Sequence, residues 1–320
     1  MAIFVTTLGK IGHLFLLIIA GFIIMKVAKL PPKATNIVSK LVSTLLMPSL
    51  ILSNFMDNFT VQRISKSWGF LVTGLIVGLV SIPLAMLVSK FTAKSPYLRK
   101  IHTYCLAFSN FGFMGTAVMT SLAPDIFLDY LILATPLWIF NYAWAVPALL
   151  IPSKSSETET DKKHIFRLEL RNLANPMFIA MLIGIIIGLT SIPVPDFVRG
   201  AVTSLGNCMS PVTMLLTGMC VAKIKISKVL EHKSIYVLSF LRLIVIPLIF
   251  IGIIAIFKLD YNISLCALCA LAMPLGLNSV VIPEGYGQDT SEASGMAIVS
   301  HLCSAVTIPL MMSIFEAVIK

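Results

Sequence analysis

Residues 105–115 read Cys105-Leu-Ala-Phe-Ser-Asn110-Phe-Gly-Phe-Met-Gly115, and residues 272–279 read Ala272-Met-Pro274-Leu-Gly-Leu-Asn278-Ser279. Each stretch lies near the middle of an apolar block of membrane-spanning length and puts Gly, Asn, Ser or Pro where an unbroken helix carries aliphatic side chains. The pattern predicts two helices that unwind near the bilayer midplane. Backbone groups freed at that depth are tolerated only where they are buried in protein or line a wet cavity, so two such breaks predict one shared site. Half-helix N-termini near Thr116 and Ser279 would present N–H groups and a partial positive charge, which suits an anion such as a carboxylate. Asn110 and Asn278 would add amide donors. The alternative is that Gly and Ser only let helices pack closely.

The rest of the chain agrees with a membrane setting. Of 320 residues, 58% are hydrophobic and 12% charged, and the mean hydropathy is +0.95. Ordinary soluble domains carry about 25% charged residues. The apolar residues fall into blocks of about 20, the length that crosses a bilayer as a helix. Ten spans are expected near 8–28, 34–56, 67–91, 98–121, 127–151, 174–192, 197–221, 234–257, 262–284 and 291–317. Pro152 to Arg171 reads as a charged, partly helical loop, and the run from Ile11 to Ala28 reads as a first span rather than a removed signal. The net charge of +10 comes from basic residues at the ends of apolar blocks, with no basic face for nucleic acid. Seventeen Lys and Arg side chains flank the loops after spans 1, 3, 5, 7 and 9, against six on the other side. Positive loops stay cytoplasmic, so both termini are expected to be extracytoplasmic in a multi-pass protein of the cell membrane. All six cysteines lie in apolar blocks and read as buried packing, the pair Cys266 and Cys269 included.

An internal repeat sets the expected architecture. Pro32 and Pro48 recur as Pro195 and Pro211, an offset of 163. At an offset of 164, Ile82-Pro83-Leu84 recurs as Ile246-Pro247-Leu248, Gly112 as Gly276 and Asp125 as Asp289. Five spans per copy is an odd number, so the second copy must insert upside down, as in secondary transporters. The expected fold is all-α: ten transmembrane helices in two inverted five-helix repeats, 1–152 and 172–320, joined by a loop at 153–171, with broken crossing helices 4 and 9.

The residues Phe108-Ser109-Asn110-x-Gly112-Phe113-Met114-Gly115, with Pro274, Tyr286-Gly287-x-Asp289, Ala293, Ser304 and Thr307-x-Pro309, resemble the auxin efflux carrier family. Its bacterial members include permeases for malate, malonate and similar organic acids. The resemblance implies the ten-helix fold also found in sodium/proton antiporters and bile-acid symporters. It further implies a scaffold and dimer surface from spans 1, 2, 6 and 7, a mobile unit from spans 3–5 and 8–10, and substrate at the crossing of spans 4 and 9. On that basis Asn110, Gly112, Gly115, Pro274, Gly276, Asn278 and Ser279 are the expected substrate-binding residues.

An ionisable side chain inside a span is a functional candidate by default. Arg242, about two turns into span 8, is a candidate partner for an anionic substrate or for Glu284, or else snorkels to the interface. His301 is a candidate proton carrier or a packed side chain with one hydrogen bond. Glu284, read near the outer end of span 9, is a candidate protonation site or a solvated helix end. No deep pair of aspartates suggests an antiporter of bare cations, and no nucleotide-binding loop or hydrolase motif is present. A non-enzymatic secondary transporter of a small mono- or dicarboxylate, or of an auxin-like acid, is therefore expected, with no cofactor or metal. The membrane potential or a proton gradient is the expected driving force, and a homodimer is a candidate assembly. A membrane sensor that binds such a ligand without net flux is the competing reading.

Overall fold

The proline positions explain most of the irregularities in this helical protein, whose computed structural model describes residues 2–152, 176–223 and 231–319. In chain order the helices are α1 (Ala2–Val27), α2 (Lys33–Asn58), the short α3 (Val61–Lys66), α4 (Trp68–Thr92), α5 (Pro96–Ala107) and α6 (residues 111–122). They continue with α7 (Pro124–Leu150), α8 (Pro176–Thr190), α9 (Asp196–Lys223) and α10 (Lys233–Phe257). The last three are α11 (Tyr261–Leu271), α12 (Asn278–Gly285) and α13 (Ser291–Ile319). Among the described residues there is no β-strand, only one isolated antiparallel bridge between Ser109 and Leu275.

Six of these helices, α2, α4, α7, α9, α10 and α13, are long and apolar enough to cross a membrane. At 1.5 Å per residue, the 25 residues of α4 extend about 37 Å, more than the hydrocarbon thickness. The 12 residues of α5 and the 11 of α11 extend only about 16 to 18 Å, too short for either to cross a bilayer by itself. The loop expected over Pro152–Arg171 lies, from residue 153 on, outside the described residues.

Wide π-helical turns occur at Val42–Leu46, Asn141–Leu150 and Leu241–Val245. Each sits beside or around a proline, Pro48, Pro147 or Pro247. Proline lacks an N–H and crowds the carbonyl four residues earlier, and a widened turn relieves both. Capping side chains start other helices: the Ser95 hydroxyl accepts from the Leu98 N–H at 3.1 Å and the Asp260 carboxylate from the Ile263 N–H at 3.0 Å.

Packing pairs α1 with the second half of α9, and α8 with the second half of α2. Small residues bring these helices together, as expected where lipid removes the hydrophobic drive between helices. A methyl group added at Gly21 would run into the Leu215 carbonyl, and one at Gly218 into the Ile18 carbonyl. A second group of helices packs α4 against α5 and α7, and α10 against α13. Large apolar side chains such as Ile76, Leu79 and Val80 of α4 are exposed on the outside, consistent with a surface that faces lipid. Of the cysteines, Cys105, Cys220, Cys266 and Cys269 are buried, whereas Cys208 and Cys303 are exposed, which corrects the expectation of buried packing for those two.

Candidate functional site

The two interrupted stretches meet. Between α5 and α6 the chain leaves the helix over Phe108–Asn110, and between α11 and α12 it is unwound over 272–277; the two segments run antiparallel. The Asn110 N–H donates to the Pro274 carbonyl at 2.7 Å, and the Gly276 N–H to the Phe108 carbonyl at 3.3 Å. The Ser109 hydroxyl donates to the Ala270 carbonyl at 2.6 Å, and the Leu275 N–H to the Ser300 hydroxyl at 3.4 Å. Unwound backbone thus finds partners inside the protein, the condition for surviving at membrane depth. Glycine at 276 suits the close approach, since a Cβ there would stand 3.0 Å from the Phe108 carbonyl oxygen and would press that backbone back by a few tenths of an ångström.

The helix ends around this crossing sort by sign. The N-termini of α6 and α12 border a cavity lined by Asn110, Gly112, Gly276 and Asn278. Each carries a partial positive charge of about half a unit. At α12 the Ser279, Val280 and Val281 N–H groups donate to the Gly276 and Leu277 carbonyls of the preceding turn. Arg242 holds carbonyls at the C-terminal ends of α5 and α11, and its side chain is not part of the cavity lining. Its guanidinium donates to the Leu106 carbonyl at 2.8 Å and reaches the Ala270 and Met273 carbonyls at 3.5 Å. Only 1% of Arg242 is exposed. This corrects two expectations: Arg242 neither snorkels to the interface nor pairs with Glu284. The π turn at Leu241–Val245 carries it, where wider winding re-aims side chains.

The opposite wall of the cavity is α2, through Leu50, Asn54 and Phe55, and α7 closes it with Trp138, Asn141 and Tyr142. At about 30 Å³ the cavity has room for one or two water molecules and is too small for a carboxylic acid. Asn110 is 2% exposed, and its side-chain amide donates to Nε2 of His301 at 3.1 Å. His301 Nδ1 lies 2.7 Å from the Ala297 carbonyl, which fixes Nδ1 as the protonated nitrogen and leaves Nε2 as acceptor. His301 thus orients Asn110.

Other expected residues lie just outside the cavity. A Cβ at Gly115 would run into the Tyr130 hydroxyl, so this glycine serves packing. The Ser279 hydroxyl turns back to the Gly276 carbonyl at 2.7 Å, closing the first turn of α12. Pro274 contributes its carbonyl to the backbone pairing. α6 begins with the π turn Phe111–Gly115, so its N-terminus lies at Phe111 rather than near Thr116.

Glu284, at the end of α12, stands apart from the crossing. Its carboxylate accepts from Lys223 Nζ at 2.6 Å, from the Thr35 hydroxyl at 2.6 Å and from the Thr290 hydroxyl at 2.8 Å. The Asn36 amide donates to the Glu284 carbonyl at 2.7 Å, and the Ser39 hydroxyl donates to the Val281 carbonyl. Thr35, Asn36 and Ser39 belong to α2 and Lys223 to the end of α9, while Thr290 follows α12, so the junction lies at a lysine-bearing end of these helices. The residues that sequence reasoning passed over are Tyr104, Asn141 and Tyr142 in the cavity and Thr35 and Lys223 at Glu284. Asn141, a lone amide in an apolar block, was a readable signal.

A family model described as membrane transport protein matches residues 6–312. No match was found among curated proteins. With nearly the whole length matched and a polar crossing of broken helices inside an apolar bundle, the chain belongs to the membrane transport protein family, that of the auxin efflux carriers.

Proposed function

We propose that this membrane transporter carries a small organic anion, a mono- or dicarboxylate or an auxin-like acid, across the cell membrane by alternating access at the crossing of residues 108–112 with 274–278. The carrying observation is the convergence of the α6 and α12 N-termini on one cavity beside Asn110 and Asn278. N–H groups and a partial positive charge there suit a carboxylate, while Arg242 offsets the negative helix ends behind it.

The ten-span inverted repeat belongs to the same reading, and the packing supports it. α1 against α9 has its counterpart in α8 against α2. The Ser67 hydroxyl donates to Asp129 across the starts of α4 and α7; the Ser234 hydroxyl donates to Glu292 across the starts of α10 and α13. A scaffold of α1, α2, α8 and α9, able to pair with a second copy, would hold a moving unit made of the other long helices. The cavity lies between α2 and the crossing, on the boundary of the two units. Glu284 with Thr35, Asn36 and Lys223 then closes the lysine-rich face, by loop charge the cytoplasmic one, and these bonds must break when that face opens.

Counterflow in proteoliposomes over a panel of labelled carboxylates, run with and without a pH gradient, tests the proposal. Accumulation of at least one acid is expected. Binding without flux would select the sensor reading, and neither binding nor flux would overturn the anion site.

A further inference from the structure

Two polar atoms at the cavity wall do not fit a purely donor-lined anion site. Asn141 Oδ1 and Asn278 Oδ1 are buried and have no hydrogen-bond partner among the described residues. Both side chains are more than nine-tenths buried, at 3% and 6% exposure, and both line the cavity. Their amides lie within interacting distance of the Tyr104 and Tyr142 hydroxyls. Tyrosine oxygens that receive the N–H groups leave the carbonyl oxygens directed elsewhere. The other buried polar side-chain atoms without a partner among the described residues are hydroxyl oxygens, on Ser239, Ser264, Ser294 and Thr307, and none of these residues lines the cavity.

A buried carbonyl oxygen with no donor is costly, and it persists where a ligand supplies the donor in another state. The π turn that begins at Asn141 carries this amide into the wall, a placement associated with functional positions. The same oxygens repel a second carboxylate. We infer, resting on the anion reading above, that Asn141 with Asn278 selects carboxylates carrying an O–H or N–H donor a few atoms from the carboxylate. The carboxylate faces the α6 and α12 N-termini, and the donor faces Asn141. A hydroxy acid then fits better than its deoxy parent, and better than a compact diacid with both charges at the wall.

Two series of probes test this in competition against counterflow: lactate, propionate and 2-methoxypropionate, and malate, succinate and 2-methoxysuccinate. The methyl ethers keep the oxygen and lose the donor. In the native protein the hydroxy member of at least one series is expected to compete about tenfold or more better than both analogues, the effect of one buried hydrogen bond. Asn141→Leu is expected to shrink that ratio to within about twofold while the deoxy acid still competes. Equal competition throughout both series in the native protein overturns the inference but leaves the anion site standing. A preference that survives in both Asn141→Leu and Asn278→Leu also overturns it. Competition by none of the acids overturns both readings. The native-protein series decides even if a variant fails to fold.

Discussion

The crossing and the Glu284 junction are both polar, both buried and both built around α12, yet they use opposite materials. At the crossing the cavity is bordered by helix N-termini and neutral amides, and the buried charge of Arg242 is directed onto carbonyls. At the junction a full carboxylate meets a full ammonium at 2.6 Å, with Lys223 partly exposed. Dipoles and amides stay in place when a solute leaves, because the helix backbones and bonds such as Asn110 to His301 hold them; a charged pair at the rim regains water when it separates. The contrast fits a centre that holds an anion transiently and a rim that opens and closes.

Variants can break or sharpen this contrast. Arg242→Met should have the largest effect, because it leaves the Leu106, Ala270 and Met273 carbonyls without a charged donor in a buried site. A loss of about 3 kcal/mol is expected, read as a lower thermal midpoint in detergent together with lost transport. An unchanged midpoint would mean that the helix ends do not need the cation. Asn110→Ala should abolish counterflow, about a hundredfold loss, while the protein still inserts in the membrane; the charged hydrogen bond to substrate is worth about 1.5–3 kcal/mol. Native transport by this variant would remove the crossing from the mechanism.

Glu284→Gln leaves Lys223 unpaired and should loosen α12 from α2 by about 1 kcal/mol, seen as roughly fivefold faster amide exchange over 278–286. Exchange at the native rate would make the junction a static contact rather than a gate. Arg199→Ala should do least. Its ion pair with Asp57, 2.6 Å long, is 45% and 36% exposed and lies between α9 and α2. Less than about 0.5 kcal/mol is expected from an exposed pair, with no change in flux. A large effect there would blur the contrast between charges that sit at a moving boundary and charges that do not.

Much of this was legible before folding. The apolar blocks marked α2, α4, α7, α9, α10 and α13, and the Gly, Asn and Pro of residues 105–115 and 272–279 marked the two breaks. Asn110 and His301 were both singled out, but their bond joins residues 191 apart, and no local pattern pairs them. Arg242 stood out as a charge in a span, yet its partners are backbone carbonyls, which every residue owns and which no sequence distinguishes. Thr35 and Asn36 gave no signal at all, being ordinary helix-start residues until Glu284 arrives from 249 and 248 positions away.

Membrane character, span lengths and the sites of unwinding follow from segment composition, because transfer of a helix into lipid is a sum over its own residues and a missing or crowded backbone bond is local. Partner choice follows a different rule. Which carbonyls Arg242 caps, which acid Lys223 meets and that the Asn141 oxygen is left without a donor depend on how distant helices approach, and that approach is fixed by small-residue contacts and proline-widened turns acting together across the bundle.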